Sequence, residues 1–272
     1  MKNSQAQLKE NYKLAFILSL VIGLLMAFAS LAGLLFQRSV YPTYELRDAF
    51  IANEVINLVI GLPILLASLW LARNGKLAGL LLWPGALLYI LYNYIAFLIG
   101  MPFGWLSFVY LALVLLSVYV MFDLLRAIDK DSVQQQLSGV VPAKLTGWVL
   151  LVMGSLFILR ALSIIVQSSM DQITLPMAEV GVLIADIFLS TLWIAGGVLL
   201  LLRQPLGYVS GLGLIFSGSM LFIALMVFLV LRPVLTDVSF APTDMIVVLS
   251  MGMICFIPFY MYLCGVLAKG KP

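Results

Sequence analysis

Apolar residues fall into eight long runs with short polar breaks between them: Leu14–Phe36, Phe50–Ala72, Leu77–Ile99, Trp105–Leu125, Leu145–Val166, Val180–Leu202, Leu206–Leu231 and Met245–Leu267. At about 1.5 Å of rise per residue, each run as a helix spans a hydrocarbon core about 30 Å thick. The runs are too long for barrel strands, and helices satisfy their own backbone groups in lipid. The pattern therefore predicts an all-α polytopic bundle of eight transmembrane helices. Ala27-Phe28-Ala29 has the look of a signal-peptidase site, but the first run continues past it and reads as an uncleaved span. The longest hydrophilic stretch, Ala127 to Lys144, lies at the middle of the chain and divides it into residues 1–126, a linker 127–143 and residues 144–272.

The polar breaks alternate in charge. With the N-terminus inside, the cytoplasmic side holds Lys2, Lys9, Lys13, Arg73, Lys76, Arg126, Lys130, Lys144, Arg203, Lys269 and Lys271, and the outer side only Arg38, Arg47 and Arg232. Eleven against three predicts both termini inside. The two halves also match each other. Lys13-Leu14 aligns with Lys144-Leu145 and Pro102 with Pro233 at an offset of 131, Arg73 with Arg203 at 130, and the Gly75/Gly79 pair with Gly207/Gly211 at 132. An even number of spans per unit makes this a parallel repeat of two four-helix units about an axis along the membrane normal.

Composition removes several classes of function. The chain of 272 residues is 64% hydrophobic and 10% charged, which is too little polar residue to clothe a soluble globule. Its net charge of +3 is spread over span ends, with no basic stripe for nucleic acid. Histidine is absent, and Cys255 and Cys264 lie nine residues apart in one run, facing opposite sides of a helix. There is no HExxH, GxSxG, Walker loop, GxGxxG or clustered-aspartate motif. No catalytic residue, metal site or cofactor is predicted; the enzyme question stays open but leans to no, a membrane enzyme acting on lipid or quinone being the weaker third class.

The polar residues inside the spans carry the remaining information. Arg160 lies sixteen residues beyond Lys144 on an ascending helix, and Asp186 lies near the start of the descending one, so the two reach nearly the same depth in the outer half. An ion pair would relieve a cost of about 2.5–3.5 kcal/mol for a lone intramembrane arginine. Ser163 and Gln167 share the Arg160 face, and Ser190 and Trp193 the Asp186 face. The first half adds Glu54 and Asn57 on the second span, and Asn93 with Tyr89 and Tyr92 on the third. The position matching Arg160 is Ala29, so this layer is asymmetric. The candidate binding set is Arg160, Asp186, Glu54, Asn57, Asn93, Tyr92, Gln167 and Ser190. Each member also has a structural reading: a clamp for Arg160 and Asp186, an interfacial position for Glu54, a helix bridge for Asn93. Pro63, Pro84 and Pro258 predict kinks inside spans.

The segments NLVIGLPILLASLWLARNGKLAGLLLWPGALLYILYNY at Asn57–Tyr94, GYVSGLGLIFSGSMLFIALMVF at Gly207–Phe228 and MGMICFIPF at Met251–Phe259 resemble a family of uncharacterised prokaryotic multipass membrane proteins. The resemblance implies an eight-helix protein of the prokaryotic plasma membrane and brings no activity with it. Two functions stay open: a small-molecule or ion transporter with an outward-facing polar site, and a non-catalytic accessory, assembly or sensor subunit whose ion pair is structural. The partners implied are the lipid bilayer and a small-molecule or ion ligand, with homo- and hetero-oligomers both open.

Overall fold

The computed structural model describes residues 12–269, so Lys2, Lys9 and Lys271 of the charge pattern lie outside the described residues. Its helices are α1 (Lys13–Leu35), α2 (Gln37–Val40), α3 (Tyr44–Ile56), α4 (Leu62–Arg73), α5 (Leu77–Gly100), α6 (Trp105–Ala127), α7 (Lys130–Leu137), α8 (Ala143–Met170), α9 (Met177–Leu201), α10 (Pro205–Leu235) and α11 (Pro242–Lys269). A π-helical turn, Asn57–Gly61, joins α3 to α4 in one continuous span. Eight helices are long and apolar enough to cross a membrane, and no strand occurs among the described residues. The chain is an integral membrane protein.

Several helices outrun their apolar runs. Span two begins at Tyr44, six residues before Phe50, because Thr43 caps it: its side chain accepts from Leu46 N at 3.3 Å, and Glu45 adds a favourable charge in the first turn. The linker is not all loop. Asp129 accepts from Ser132 N at 3.2 Å and starts α7, which buries Val133 and Leu137. This short helix packs on α10. The linker, the turns at Arg73–Lys76 and Arg203–Gln204, and both ends of the described chain mark one end of the bundle, the linker end. The loops around Tyr41, Pro102, Pro176 and Val238 mark the opposite, distal end.

The bundle is organised around α5. In its most apolar stretch 83% of the residues are buried, against 22–44% in the other seven spans. It packs against α4, α6, α9 and α10. Without a hydrophobic drive between helices in lipid, close approach depends on small residues. Gly85 of α5 and Gly213 of α10 supply it: an added methyl group on Gly85 would run into the Gly213 backbone. Gly147 and Gly197 do the same for α8 and α9, where a Cβ on Gly197 would stand 2.7 Å from Gly147 O. Gly154 continues that seam, with its Cβ position 2.8 Å from Ser190 O. Trp83 Nε1 of α5 donates to Ser19 Oγ of α1 at 2.9 Å, and Tyr262 Oη of α11 donates to Tyr208 O of α10 at 3.0 Å.

The two turns at the linker end are built alike. After α4, Gly75 N donates to Ala72 O and Lys76 N to Leu71 O; after α9, Arg203 N donates to Leu200 O and Gln204 N to Leu199 O. Gly75 and Arg203 both have positive φ, 71° and 55°. The next helix then rests a glycine on the preceding backbone, Gly79 on Leu71 and Ala72, Gly207 on Leu199 and Leu200.

Proline accounts for the π turn. Pro63 has no N–H, and its ring would press on the carbonyl four residues back in a regular α-helix. The span widens there, with Leu62 N donating to Asn57 O across five residues. Pro84, Pro233 and Pro258 sit inside helices that continue through them.

Candidate functional site

The α8–α9 seam brings together the two charges predicted to meet. Gly154 and Gly197 draw the helix axes close, and six residues beyond Gly154 the Arg160 side chain reaches across to Asp186. Arg160 Nη1 donates to Asp186 Oδ2 at 2.9 Å. From α5, Tyr92 Oη donates to Asp186 Oδ1 at 2.9 Å. Each carboxylate oxygen thus has a donor, and three helices are tied at one point. The burial is uneven: the Asp186 side chain is 3% exposed and that of Arg160 is 56% exposed. The guanidinium lies along the outside of the bundle and lends one edge to the acid.

The other residues of the predicted layer divide. Ser163 is exposed and donates to Arg160 O at 2.8 Å, and Gln167 is exposed one turn further on. Ser190 is buried one turn from Asp186 toward the linker end. Asn93 turns back on its own helix, with Nδ2 donating to Tyr89 O at 3.0 Å. Ser217 and Ser219 are buried and bond carbonyls of their own helix, while Ser250 is exposed.

Glu54 and Asn57 belong to a second cluster, between the α3–α4 span, α1 and α5. Glu54 is fully buried within the bundle. Its carboxylate lies directly on Gly33 of α1, where a side chain would overlap it. Tyr41, folded inward after α2 and itself buried, donates from Oη to Glu54 Oε1 at 2.8 Å. Burial pushes the Tyr41 phenol up, with the neighbouring Glu54 adding to the effect, so Tyr41 keeps its proton and is the donor. Ser30 of α1 stands beside the carboxylate, and Tyr94 of α5 and Tyr110 of α6 are close by. Tyr94 Oη donates to Met26 O at 3.4 Å. One turn along the span, Asn57 is 1% exposed at the start of the π turn, and Gly61 at its end lies against Met26 and Tyr89.

This second cluster is short of partners. Glu54 Oε2, both amide atoms of Asn57, Ser30 Oγ and the hydroxyls of Tyr89 and Tyr110 are buried with no hydrogen-bond partner among the described residues. Native interiors leave few such groups. Sequence reasoning missed Ser30, Gly33, Tyr41 and Tyr110. The signal available was Ser30/Gly33 on the first span and Glu54/Asn57 on the second, two polar or small pairs three residues apart on antiparallel neighbours.

Two cavities lie elsewhere. One of about 390 Å³ opens at the distal end between Thr43, Glu45, Met101, Pro102 and Met177. The other, about 200 Å³, is an apolar groove between α5, α6, α9 and α10, lined by Pro84, Leu88, Met121, Leu192 and Leu214 among others and by no carboxylate. Neither is lined by Arg160, Asp186, Glu54 or Asn57.

Fold and site together define an eight-span membrane protein with two polar clusters. In one both Asp186 oxygens are partnered, although the nearby Ser190 Oγ is not, and in the other Glu54 Oε2 and both Asn57 amide atoms have no partner among the described residues. Comparison with known proteins adds no relative: no family model, no curated protein and no solved structure matches the chain.

Proposed function

We propose that this chain transports a small polar or ionic solute across the membrane, and that its binding site is the Glu54–Asn57 face. The reading rests on one observation, the buried polar atoms of Glu54, Asn57 and Ser30 that lack partners among the described residues. Each such group costs about 1–3 kcal/mol, more where charged. A bundle kept only for its shape would shed that cost by carrying apolar side chains there; a ligand that supplies the missing partners accounts for it. An ionisable residue inside a span is a functional site by default, and π turns recur at functional sites. Arg160, Asp186 and Tyr92 are then a clamp holding α5, α8 and α9 in register. A non-catalytic accessory subunit is the second reading, favoured by the full satisfaction of both Asp186 oxygens.

The proposal includes the duplication and the orientation. Support for the duplication comes from neighbours that pair up: α5 packs on α9 as α10 packs on α3, and α6 packs on α1 as α11 packs on α8. The two like-built turns set Gly75 opposite Arg203 and Gly79 opposite Gly207, 128 residues apart rather than 130–132. Gly85 and Gly213, also 128 apart, touch each other and so lie on the pseudo-twofold axis. The π turn adds one residue to the first unit, so ahead of it the offset becomes 129 and Asn57 falls opposite Asp186. The linker end, rich in Lys and Arg, is cytoplasmic, and the membrane is the plasma membrane of a prokaryote, as the resemblance implies.

Cysteine accessibility tests the transport reading. In a chain carrying Cys255→Ala and Cys264→Ser, Asn57→Cys should react with a membrane-impermeant methanethiosulfonate in intact cells. Ile56→Cys, equally buried but apolar in surroundings, should not. Equal protection of both from either side of the membrane would exclude a solute path through this face.

A further inference from the structure

We infer that Glu54, Ser30 and Asn57 form a binding site for a single dehydrated monovalent metal cation. The inference deepens the proposed function and rests on its reading of this face as a ligand site.

Glu54 has no basic partner. Among the described residues its carboxylate takes part in no salt bridge, while Asp186 is paired with Arg160. Under the duplication, Ala29, fully buried and next to Ser30, stands where the second unit has Arg160. The protein supplies its own cation in one unit and leaves the charge open in the other.

A proton does not resolve the shortage. Oε1 accepts from Tyr41, so a protonated carboxyl would carry its hydrogen on Oε2 and could give it to the neighbouring Ser30 Oγ, which still leaves both amide atoms of Asn57 without a partner among the described residues. An ionised carboxylate leaves the same oxygen bare in a dry interior, which is costly. A metal cation satisfies Oε2 and at the same time gives Ser30 Oγ and the Asn57 amide oxygen something to coordinate.

The donor set fixes the class of ion. One carboxylate among neutral oxygens balances a single positive charge, and a divalent ion would leave an uncompensated charge in the core. Among the described residues there is no group of three or more Asp, Glu, Cys or His to hold a metal of higher charge. Hard oxygen ligands suit an alkali ion. Neither of the two cavities described above is lined by these residues. The π turn begins at Asn57, beside the site, and π turns recur at functional sites.

The test is the melting temperature of the purified full chain in lipid nanodiscs, titrated with LiCl, NaCl or KCl against choline chloride at constant ionic strength. One alkali ion should give a saturable rise, on the order of 5 °C at a hundredfold excess over Kd. Glu54→Gln should abolish the rise and Ser30→Ala should weaken the apparent affinity at least tenfold, while Asp186→Asn leaves it in place. No alkali-specific rise, or an undiminished rise in Glu54→Gln, overturns the site. Should Glu54→Gln fail to fold, equilibrium binding of the radiolabelled ion to the unsubstituted chain and to Ser30→Ala decides; no saturable binding, or equal affinity in both, overturns it. Reactive Asn57→Cys without any cation effect keeps the transport reading and removes this site. A cation effect with unreactive Asn57→Cys makes the ion structural and removes the transport reading.

Discussion

Asp186 accepts a hydrogen bond on each oxygen, whereas Asn57, which the proposed duplication sets at the matching place, has neither amide atom partnered among the described residues. Under that proposed match the two positions differ in what the adjoining helices contribute. Arg160 and Tyr92 reach Asp186; the residues matching them around Asn57 are Ala29 and, at the offset of 128, Met220. Around Asp186 the polar groups form a fastening, while around Glu54 and Asn57 they lack partners among the described residues, inside a seam closed by Tyr41 and Gly33. On the proposed reading, stability and binding are divided between the two clusters, and removing the polar side chain at Asp186 or at Asn57 should change stability with opposite sign.

The largest effect is expected from Arg160→Met. It removes the charge partner of a carboxylate that is 3% exposed and leaves it only Tyr92. Breaking a buried ion pair from one side costs several kcal/mol; with Tyr92 retained we expect about 3 kcal/mol. Asp186→Asn in the same chain should return at least half of it, giving a coupling energy that thermal unfolding in detergent measures directly. Additive losses would mean that the pair does not fasten α8 to α9.

Gly33→Ala comes next and probes the other half. Its methyl group would overlap Glu54 Oε1, the same oxygen that Tyr41 holds by its hydrogen bond. We expect a loss of about 2 kcal/mol, the usual scale of overpacking. Adding Glu54→Ala makes room and should return most of it. Gly154→Ala, in the satisfied half, meets the Ser190 carbonyl at 2.8 Å, which is backbone, so no side-chain change should rescue it. Unfolding midpoints of the two rescue pairs check the contrast.

How much of this was legible follows from where each feature gets its cause. The eight spans were readable because lipid demands a long apolar run for each crossing. Their ends were not, since caps and amphipathic turns extend them: Thr43 starts α3 within a stretch that reads as a polar link, and Asp129 starts α7 in the linker. The meeting of Arg160 with Asp186 follows from depth alone. That Tyr92 completes it, while its neighbour Asn93 turns back onto Tyr89, depends on rotation about α5, which a helix buried almost all round does not encode in its apolar pattern. That Glu54 is buried within the bundle was not legible, because only its distance from the loop was visible. The fold back of Tyr41 over it comes from α2, four residues with no periodic signal. The π turn adds one residue inside an unbroken apolar run, so the 128-residue register of the turns at the linker end was hidden from the sequence.

Tyr92→Phe is expected to have a smaller effect than either charge or glycine change. It removes one hydrogen bond to an ionised group and keeps the ring, a loss of about 1.5 kcal/mol. Because Tyr92 ties α5 to α9 and Arg160 ties α8 to α9, the loss should grow in the Arg160→Met background, where the phenol is the last donor to Asp186. An unchanged loss there, read from the same unfolding midpoints, would separate the two contacts that the clamp joins.

Asn57→Leu should change stability least, and in the opposite direction. The side chains are similar in volume, and the substitution removes two buried polar atoms that have no partners among the described residues. Replacing an unsatisfied polar group by an apolar one of the same shape is neutral or stabilising, so in choline chloride we expect a gain of up to about 1 kcal/mol. The same substitution at Asp186 would strand Arg160 and Tyr92 and lower stability. In the presence of the bound cation the order at position 57 should reverse, since Asn57 then gains a ligand that leucine cannot hold. A leucine variant that melts lower than the parent in choline chloride would mean that Asn57 already has a partner in the resting protein, and the difference between the two halves would shrink to the identity of that partner.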